Sequence, residues 1–147
     1  MNIWDDAWDA LDDWSGGGAK SKRLVESGPR LGASVYELGP GNSTAYHFHH
    51  GSEELLLVLR GRPTLRTPEG ERRLEEGEAV QFTVGPDGAH GLRNEGDEVA
   101  RFVLAGIRVS PEVAEYPDTH QITAQARTGS QTGERLWLIH DVEEEKR

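Results

Sequence analysis

Apolar residues occur along this chain in short runs, each closed after a few positions by glycine or proline. The chain contains 18 glycines and seven prolines, and steps such as Gly39-Pro40 and Arg62-Pro63 mark turns. Short strands at this spacing are typical of an all-β sandwich or barrel. The strands predicted from the runs span residues 31–38, 43–49, 54–60, 62–67, 71–75, 79–84, 89–94 and 98–108. Within the third of them, alternation predicts that Glu54, Leu56 and Val58 face inward.

Both ends of the chain depart from this pattern. Residues 3–14 place three tryptophans on one helical stripe and five aspartates elsewhere, which predicts a short N-terminal amphipathic helix that ends at Gly16. Its tryptophans either dock on the protein's own barrel or bind a partner or a second copy. After Ser110 the pattern is irregular until Leu136–His140, whose apolar density predicts a buried or edge strand. The predicted organisation is therefore a helix and glycine linker at 1–18, a barrel at 19–110 and a C-terminal extension at 111–147.

The charge of the chain narrows the range of partners. The formal net charge is -10 and the pI is about 5.0, which disfavours nucleic acid and anionic membranes because binding to phosphates requires clustered Lys and Arg. No cysteine is present, so disulfides and thiolate metal ligands are excluded. The amino terminus is acidic, whereas a secretory signal is basic and then apolar. We expect a cytoplasmic protein without a membrane or nucleic-acid partner.

The candidate chemistry lies in the segment from Gly41 to Gly61. His47 and His49 are two residues apart, and on a strand such residues point to the same face, so both imidazoles can converge on one ion. A carboxylate on the next antiparallel strand can complete one face of a coordination sphere, and Glu54 opens that strand. The spacing predicts a metal site.

These residues resemble the cupin superfamily. The family's first motif, G-x5-H-x-H-x3 or 4-E-x6-G, is matched without a gap by Gly41, His47, His49, Glu54 and Gly61. Its second motif is G-x5-P-x-G-x2-H-x3-N, and the match is looser. The positions that correspond to it are Gly77, Thr83 in place of the proline, Gly85, His90 two residues late, and Asn94 at the expected interval.

The resemblance implies a small, single-domain, metal-binding cupin of the type-2 kind. Its fold would be the cupin double-stranded β-helix, a jelly-roll barrel, with the N-terminal helix outside it. It implies His90 as a further ligand, so the implied metal ligands are His47, His49, Glu54 and His90. Three imidazoles and a carboxylate suit one divalent transition metal ion, which could be Fe, Mn, Zn, Ni, Co or Cu.

The function implied is that of a metal-dependent enzyme on a small oxygen-bearing organic substrate. Within cupins, dioxygenase chemistry comes first and isomerase or lyase chemistry next. The alternative is a non-catalytic module that binds a small molecule or stores a metal. Cupins commonly pair through barrel edges, so a homodimer is expected.

Several nearby residues are weighed against these assignments. Glu53 is the alternative to Glu54, which is preferred because it alone leaves six residues before Gly61. By alternation His50 is expected to be exposed, and His120 and His140 are expected to be structural or exposed rather than ligands. The catalytic acid or base is left open, with four pocket residues as guesses: Tyr36, Tyr46, Gln81 and Arg101.

Overall fold

The structure is a computed structural model that describes residues 2–12, 18–25, 30–127 and 135–143. Within them lie thirteen strands and one 3-10 turn, Pro86–Gly88, and no α-helix. The strands are β1 (Ala10–Asp12), β2 (Ala19–Arg23), β3 (Leu31–Leu38), β4 (Phe48–His49), β5 (Glu54–Arg60), β6 (Thr64–Thr67), β7 (Gly70–Arg73), β8 (Ala79–Phe82), β9 (Gly91–Arg93), β10 (Ala100–Ile107), β11 (Glu112–Tyr116), β12 (Gln121–Arg127) and β13 (Arg135–Asp141). The all-β prediction is confirmed.

The strands form two packed layers. One is a six-stranded sheet in the order β1-β2-β3-β10-β5-β8, in which all neighbours are antiparallel. The other consists of a four-stranded sheet, β13-β12-β11-β4, and a three-stranded sheet, β7-β6-β9. Single bridges from Ser43 to Arg93 and from His47 to His90 connect the β4 and β9 regions. This arrangement is the predicted jelly roll.

The core lies between the layers. Along β5, Leu56 and Val58 are fully buried while Leu55 and Leu57 are exposed, as alternation predicts. They pack with buried side chains from both layers, including Leu65 and Leu92 from the smaller sheet. Each such side chain contributes roughly 1.5–3 kcal/mol by leaving water, which fixes the register of the strands that carry the candidate site.

The prediction of an N-terminal helix is wrong. Residues 2–9 contain a turn but no helix, and Ala10–Asp12 pair with β2 as a strand. The physical reason is tertiary: the Lys22 ammonium donates to the carbonyls of Asn2 and Asp5, and Arg101 donates to the carbonyl of Ile3 at 3.0 Å. These buried cations occupy backbone oxygens that a helix would use for its own hydrogen bonds. Trp14 lies outside the described residues.

Trp4 and Trp8 nevertheless contact the protein's own barrel. The guanidinium carbon of Arg101 lies 5.6 Å from the centroid of the Trp4 ring and 5.1 Å from that of Trp8. The Lys22 ammonium lies 5.0 Å from the Trp8 centroid. The described part of the N-terminal segment is therefore attached through cation–π contacts rather than through a helical apolar face.

The C-terminal region is more regular than the sequence indicates. Residues 112–127, expected to be irregular, form β11 and β12, and β11 pairs with β4. The predicted final strand exists as β13 at the edge of its sheet. Its apolar side chains are exposed on both faces. Among the described residues there is no helix with the length and apolar character needed to cross a membrane.

Candidate metal centre

The four residues predicted as ligands come from three places in the barrel and meet inside it. His47 immediately precedes β4 and His49 ends it, so the two histidines flank the buried Phe48, and Glu54 begins β5. His90 follows the 3-10 turn and pairs with His47 through two backbone hydrogen bonds, of 3.0 and 2.9 Å between N and O. The reshaped loop before His90 therefore still delivers this histidine to the site, where it is 2% exposed.

The side-chain atoms of these residues converge on Glu54. Its Oε2 lies 3.3 Å from Nε2 of His49 and 3.2 Å from Nε2 of His90. The rings of His47 and His49 are 4.9 Å apart between centroids, and those of His47 and His90 are 4.8 Å apart. The ligand atoms of His47, His49 and Glu54 lie within 4.8 Å of one another. His90 stands farther from His49, at 6.5 Å between ring centroids.

Backbone carbonyls fix the tautomer of two imidazoles. Nδ1 of His47 lies 3.0 Å from the carbonyl of Ala45, and Nδ1 of His90 lies 2.9 Å from the carbonyl of Gly88. A carbonyl only accepts, so each Nδ1 carries the proton and donates it. In the neutral ring Nε2 then has a free lone pair, which is the arrangement that metal-ligating histidines adopt.

The cluster has polar atoms that the protein itself does not satisfy. Buried atoms without a hydrogen-bond partner include both ring nitrogens of His49, Oε2 of Glu54 and Nε2 of His90. A buried polar atom left unpaired costs roughly 1–3 kcal/mol, so three such side chains in one place require an explanation. A divalent cation would satisfy Nε2 of His49, Nε2 of His90 and Oε2 of Glu54 together, and this donor set therefore fits a transition metal.

The charge states of His47 and Glu54 suit a cation, whereas His49 lies between two carboxylates, is itself cationic at pH 7 and would have to lose a proton to bind one. Burial, assisted by the nearby His90 and His49, lowers the pKa of His47 to about 4, so this ligand is neutral at pH 7. Burial alone would lower the pKa of His49, but the carboxylates of Glu112 and Glu54 outweigh it and raise this pKa to about 9. Burial alone would raise the pKa of Glu54, but His49 and His90 hold it well below its usual range. Glu54 is therefore an anion at neutral pH.

Three residues beside the ligands were missed by sequence reasoning. Oε1 of Glu112 lies 3.6 Å from Nδ1 of His49, the Tyr116 ring stacks on His47 at 5.5 Å, and Phe82 stacks on His90 at 3.8 Å between centroids. Glu112 and Tyr116 both belong to β11. Alternation along Glu112–Tyr116 could have predicted the strand, but no spacing rule could place it beside residues some sixty positions earlier.

A cavity of about 310 Å³ opens beside the cluster. His49, Glu54 and Glu112 form part of its wall, whereas His47 and His90 do not line it. The lining also includes apolar residues of β10 and the loop after it, and a set of polar groups: Arg23, Ser34, Tyr36, Ser52, Arg108 and Gln125. A small molecule in this cavity would contact the His49–Glu54 edge of the cluster.

Most of the remaining candidates lie away from the cluster and its cavity. Glu53 is exposed, which favours Glu54. His50 is exposed as predicted, with its Nε2 2.9 Å from Oε2 of Glu115, and His120 and His140 are also exposed. Of the four residues guessed as acid or base, only Tyr36 lines this cavity. Tyr46 lies under the Arg66 guanidinium at 3.9 Å, Gln81 is exposed on β8, and Arg101 pairs with Glu37.

Comparison with known proteins agrees with this geometry. Residues 34–106 match the sequence profile of the cupin domain family. The tetracenomycin polyketide synthase protein TcmJ of Streptomyces glaucescens is 31% identical over 99 residues, which are 66% of this chain and 64% of that protein's length. The chain thus matches slightly less than two thirds of this relative.

Two of the matching solved structures each cover more than four fifths of the chain. One is a sugar phosphate isomerase of the cupin superfamily from Silicibacter pomeroyi, with a TM-score of 0.74 and 25% identity over 87% of this chain and 80% of that one. The other, assigned as a sugar phosphate isomerase, is from Acidithiobacillus ferrooxidans, with a TM-score of 0.71 and 27% identity over 84% and 77%.

Proposed function

The chain belongs to the cupin superfamily, with a type-2 cupin domain at residues 34–106, and from this premise we propose that it is a metal-dependent enzyme acting on a small, acidic, oxygen-rich organic molecule. His47, His49, Glu54 and His90 would hold one divalent transition metal ion. The observation that carries the proposal is the cavity of about 310 Å³, which meets the cluster at the edge formed by His49 and Glu54.

The lining of the cavity favours an enzyme over a storage module. A non-catalytic site would need no polar groups facing the ligands, whereas this wall carries Ser34, Tyr36 and Gln125 within the same cavity as Glu54. The volume lies at the lower end of the range for ligand pockets, roughly 300–1,000 Å³, so it suits a molecule of a few carbon atoms better than a polycyclic one.

Two arginines in the wall, which also carries the acidic Glu54 and Glu112, suit an anionic group on the substrate. Arg23 and Arg108 line the cavity in a protein of formal net charge -10, so they present local positive charge against an acidic background. Guanidinium groups suit carboxylate and phosphate oxygens because they can donate two parallel hydrogen bonds. We assign these two side chains to the acidic group of the substrate.

Isomerisation is the reaction we place first. Of the two structures described above, one is named a sugar phosphate isomerase and the other is assigned as one, and a phosphorylated sugar combines the acidic group and the vicinal oxygens that this cavity suits. A bound divalent ion supplies Lewis-acid polarisation of a substrate oxygen. Tyr36, whose ring stacks on Phe102 at 5.6 Å, is our assignment for the group that takes and returns a proton. The sequence alone placed dioxygenase chemistry first. We now place it second among the reactions to test.

A polyketide-type substrate is the second candidate. It is favoured by the 31% identity to TcmJ, over nearly two thirds of that polyketide synthase protein. Such substrates lack the phosphate that Arg23 and Arg108 would bind, so the two candidates differ in their dependence on these arginines.

We also propose that the protein acts as a homodimer in the cytoplasm, without nucleic-acid or membrane partners. The acidic charge supports the exclusion of polyanions. Residues 19–110 are proposed as the barrel unit and 111–147 as its extension.

The first experiment is elemental analysis of protein purified without chelators or metal-affinity resin. The wild type is compared with the double variant His47→Ala/His49→Ala and with a matched control, His50→Ala/His120→Ala, which removes two exposed histidines. We expect near-stoichiometric metal in the wild type and the control and loss in the ligand variant. No metal in the wild type after reconstitution would leave a non-catalytic binding barrel.

The second experiment assays the metal-loaded protein. Three- to six-carbon sugar phosphates are followed by proton NMR for exchange of the hydrogen next to the carbonyl, and oxygen uptake is measured with small chelating acids. Proton exchange that falls in Arg23→Gln/Arg108→Gln supports an isomerase of phosphorylated substrates. Oxygen uptake without exchange would replace it with the dioxygenase.

A further inference from the structure

The strand β11 lies outside the matched cupin domain, yet it contacts the site. Its residues Glu112, Ala114 and Tyr116 alternate toward the interior and are all buried. Ala114 pairs directly with His49 in the β4–β11 ladder. The small side chain of Ala114 leaves the space on either side to Glu112 and Tyr116, which reach His49 and His47 respectively.

Glu112 is held by two hydrogen-bond donors from the loop that follows β4. The amide of Gly51 donates to its Oε1 at 3.2 Å, and the Ser52 hydroxyl donates to its Oε2. Glu112 is 3% exposed. Carboxylates are rarely buried without partners, and two donors from the loop between the β4 histidines and Glu54 fix this one next to Nδ1 of His49.

The two carboxylates at His49 occupy opposite sides of its ring. Glu54 lies 3.3 Å from Nε2, whereas Glu112 lies 3.6 Å from Nδ1. An ion held by Nε2 and Glu54 is therefore on the far side of the imidazole from Glu112. Glu112 therefore cannot bind an ion held at Nε2 of His49. It lies instead beside Nδ1 of that ring.

We propose that Glu112 is a positioning residue of the metal centre: it keeps the proton of His49 on Nδ1 and so presents the Nε2 lone pair to the ion. His47 and His90 obtain the same orientation from the carbonyls of Ala45 and Gly88. Nδ1 of His49 has no such carbonyl and no hydrogen-bond partner among the described residues, and the Glu112 carboxylate, 3.6 Å away, is the acceptor that lies beside it. Outer carboxylates of this kind orient ligating histidines and raise their basicity.

This inference rests on the proposed metal site and is tested by metal affinity. Co²⁺ and Zn²⁺ dissociation constants are measured by competition with a chromophoric chelator for the wild type, Glu112→Gln and Glu112→Ala. The matched control is Glu115→Gln on the same strand, whose carboxylate contacts the exposed His50. We expect affinity to fall by about 10–100-fold in Glu112→Ala, to fall less in Glu112→Gln, whose amide oxygen still accepts, and to stay unchanged in the control.

A spectroscopic readout separates positioning from general damage. In the Zn²⁺ form, proton NMR should show a slowly exchanging Nδ1 proton on His49 in the wild type and in Glu112→Gln, and should lose it in Glu112→Ala. Because the glutamine variant keeps the size of the side chain, it remains folded if the alanine variant does not. Wild-type affinity and an unchanged His49 proton in both variants would overturn the inference, while a wild type that binds no metal would overturn the metal site itself.

Discussion

Gly106 on β10 lies directly opposite Glu54 on β5, and the two residues share the wall of the cavity. A methyl group placed on Gly106 would lie 2.7 Å from the carbonyl oxygen of Glu53 and 3.0 Å from Cγ of Glu54. The Glu53 carbonyl belongs to the backbone, so a side-chain rotation cannot move it out of the way. The absence of a side chain at position 106 therefore allows Glu54 to occupy its position.

Gly106→Ala should therefore disturb the site more than its size suggests. We expect a loss of about 1–3 kcal/mol in the free energy of unfolding, measured with urea, and a weaker affinity for Co²⁺ because the Glu54 carboxylate shifts. The control is Gly39→Ala, where the nearest atom to the added methyl group is the Asn42 side-chain nitrogen at 3.4 Å. Equal metal affinity in Gly106→Ala and wild type would show that β5 tolerates the displacement.

Glu54→Gln should abolish tight metal binding while Glu53→Gln leaves it intact. The first change removes the negative charge on which Nε2 of His49 and Nε2 of His90 converge, and the second alters an exposed neighbour. Since loss of an outer-shell group alone costs about 10–100-fold in affinity, loss of this ligand should exceed about 100-fold. Isothermal titration with Zn²⁺ measures both, and a reversed order would move the ligand to Glu53.

Removal of one partner of the buried ion pair between Arg101 and Glu37 should lower the free energy of unfolding substantially. Nη2 of Arg101 lies 2.6 Å from Oε2 of Glu37, and the Lys20 ammonium lies 3.5 Å from Oε1 of the same carboxylate. Arg101→Met leaves Glu37 buried with this partly exposed lysine, and we expect a loss of about 3 kcal/mol in the free energy of unfolding.

The double variant Arg101→Met/Glu37→Gln should lose less than Arg101→Met alone, because no unpaired charge stays behind. Arg62→Met provides the comparison for an exposed pair: Arg62 and Glu75 are both more than half exposed, and their contribution should be below about 1 kcal/mol. Guanidinium denaturation gives all three values. Similar losses for Arg62→Met and Arg101→Met would contradict the importance of burial here.

Charges placed on β13 should reduce self-association if the proposed homodimer pairs along this strand. Leu136 and Leu138 are 55% and 50% exposed, and within the described residues β13 pairs only with β12. An exposed apolar edge strand is a template for a second chain. We expect Leu136→Lys/Leu138→Lys to change the mass measured by light scattering from twice 16.2 kDa to 16.2 kDa.

The control for β13 is Leu55→Lys, which alters an exposed leucine on the outer face of the six-stranded sheet. It should leave the mass unchanged. If Leu55→Lys separates the copies and the β13 variant does not, the interface lies on that face instead.

The barrel strands could be predicted because their signals are local. Glycine and proline set the turns, and period-two alternation set the inward face of β5, so the eight predicted strands are present, several of them shorter at their ends. The greatest shortening is at 43–49, of which only Phe48–His49 is a strand. There Ser43 and His47 each make a single bridge, so the ladder is interrupted rather than continuous.

The features that could not be predicted depend on contacts between residues that are distant in the sequence. The periodicity of residues 3–14 favours a helix, but hydrogen bonds from Lys22 and Arg101 decided the path of the chain. Similarly, the spacing of His47, His49 and Glu54 is readable within one segment, whereas the approach of Glu112 to His49 requires the fold. Local patterns specify elements, and only the tertiary structure specifies which elements meet.

The backbone bridge between His47 and His90 has a thermodynamic consequence. It brings together two side chains that lie far apart in the sequence, and an unfolded chain cannot hold them at one point. Ion binding at this centre would thus belong to the folded state alone, and free metal would enter the folding equilibrium by mass action. At a hundred times its Kd, the ion would add about 2.7 kcal/mol to the free energy of unfolding. A cell that depletes its metal would then also increase the fraction of this protein that is open to proteolysis.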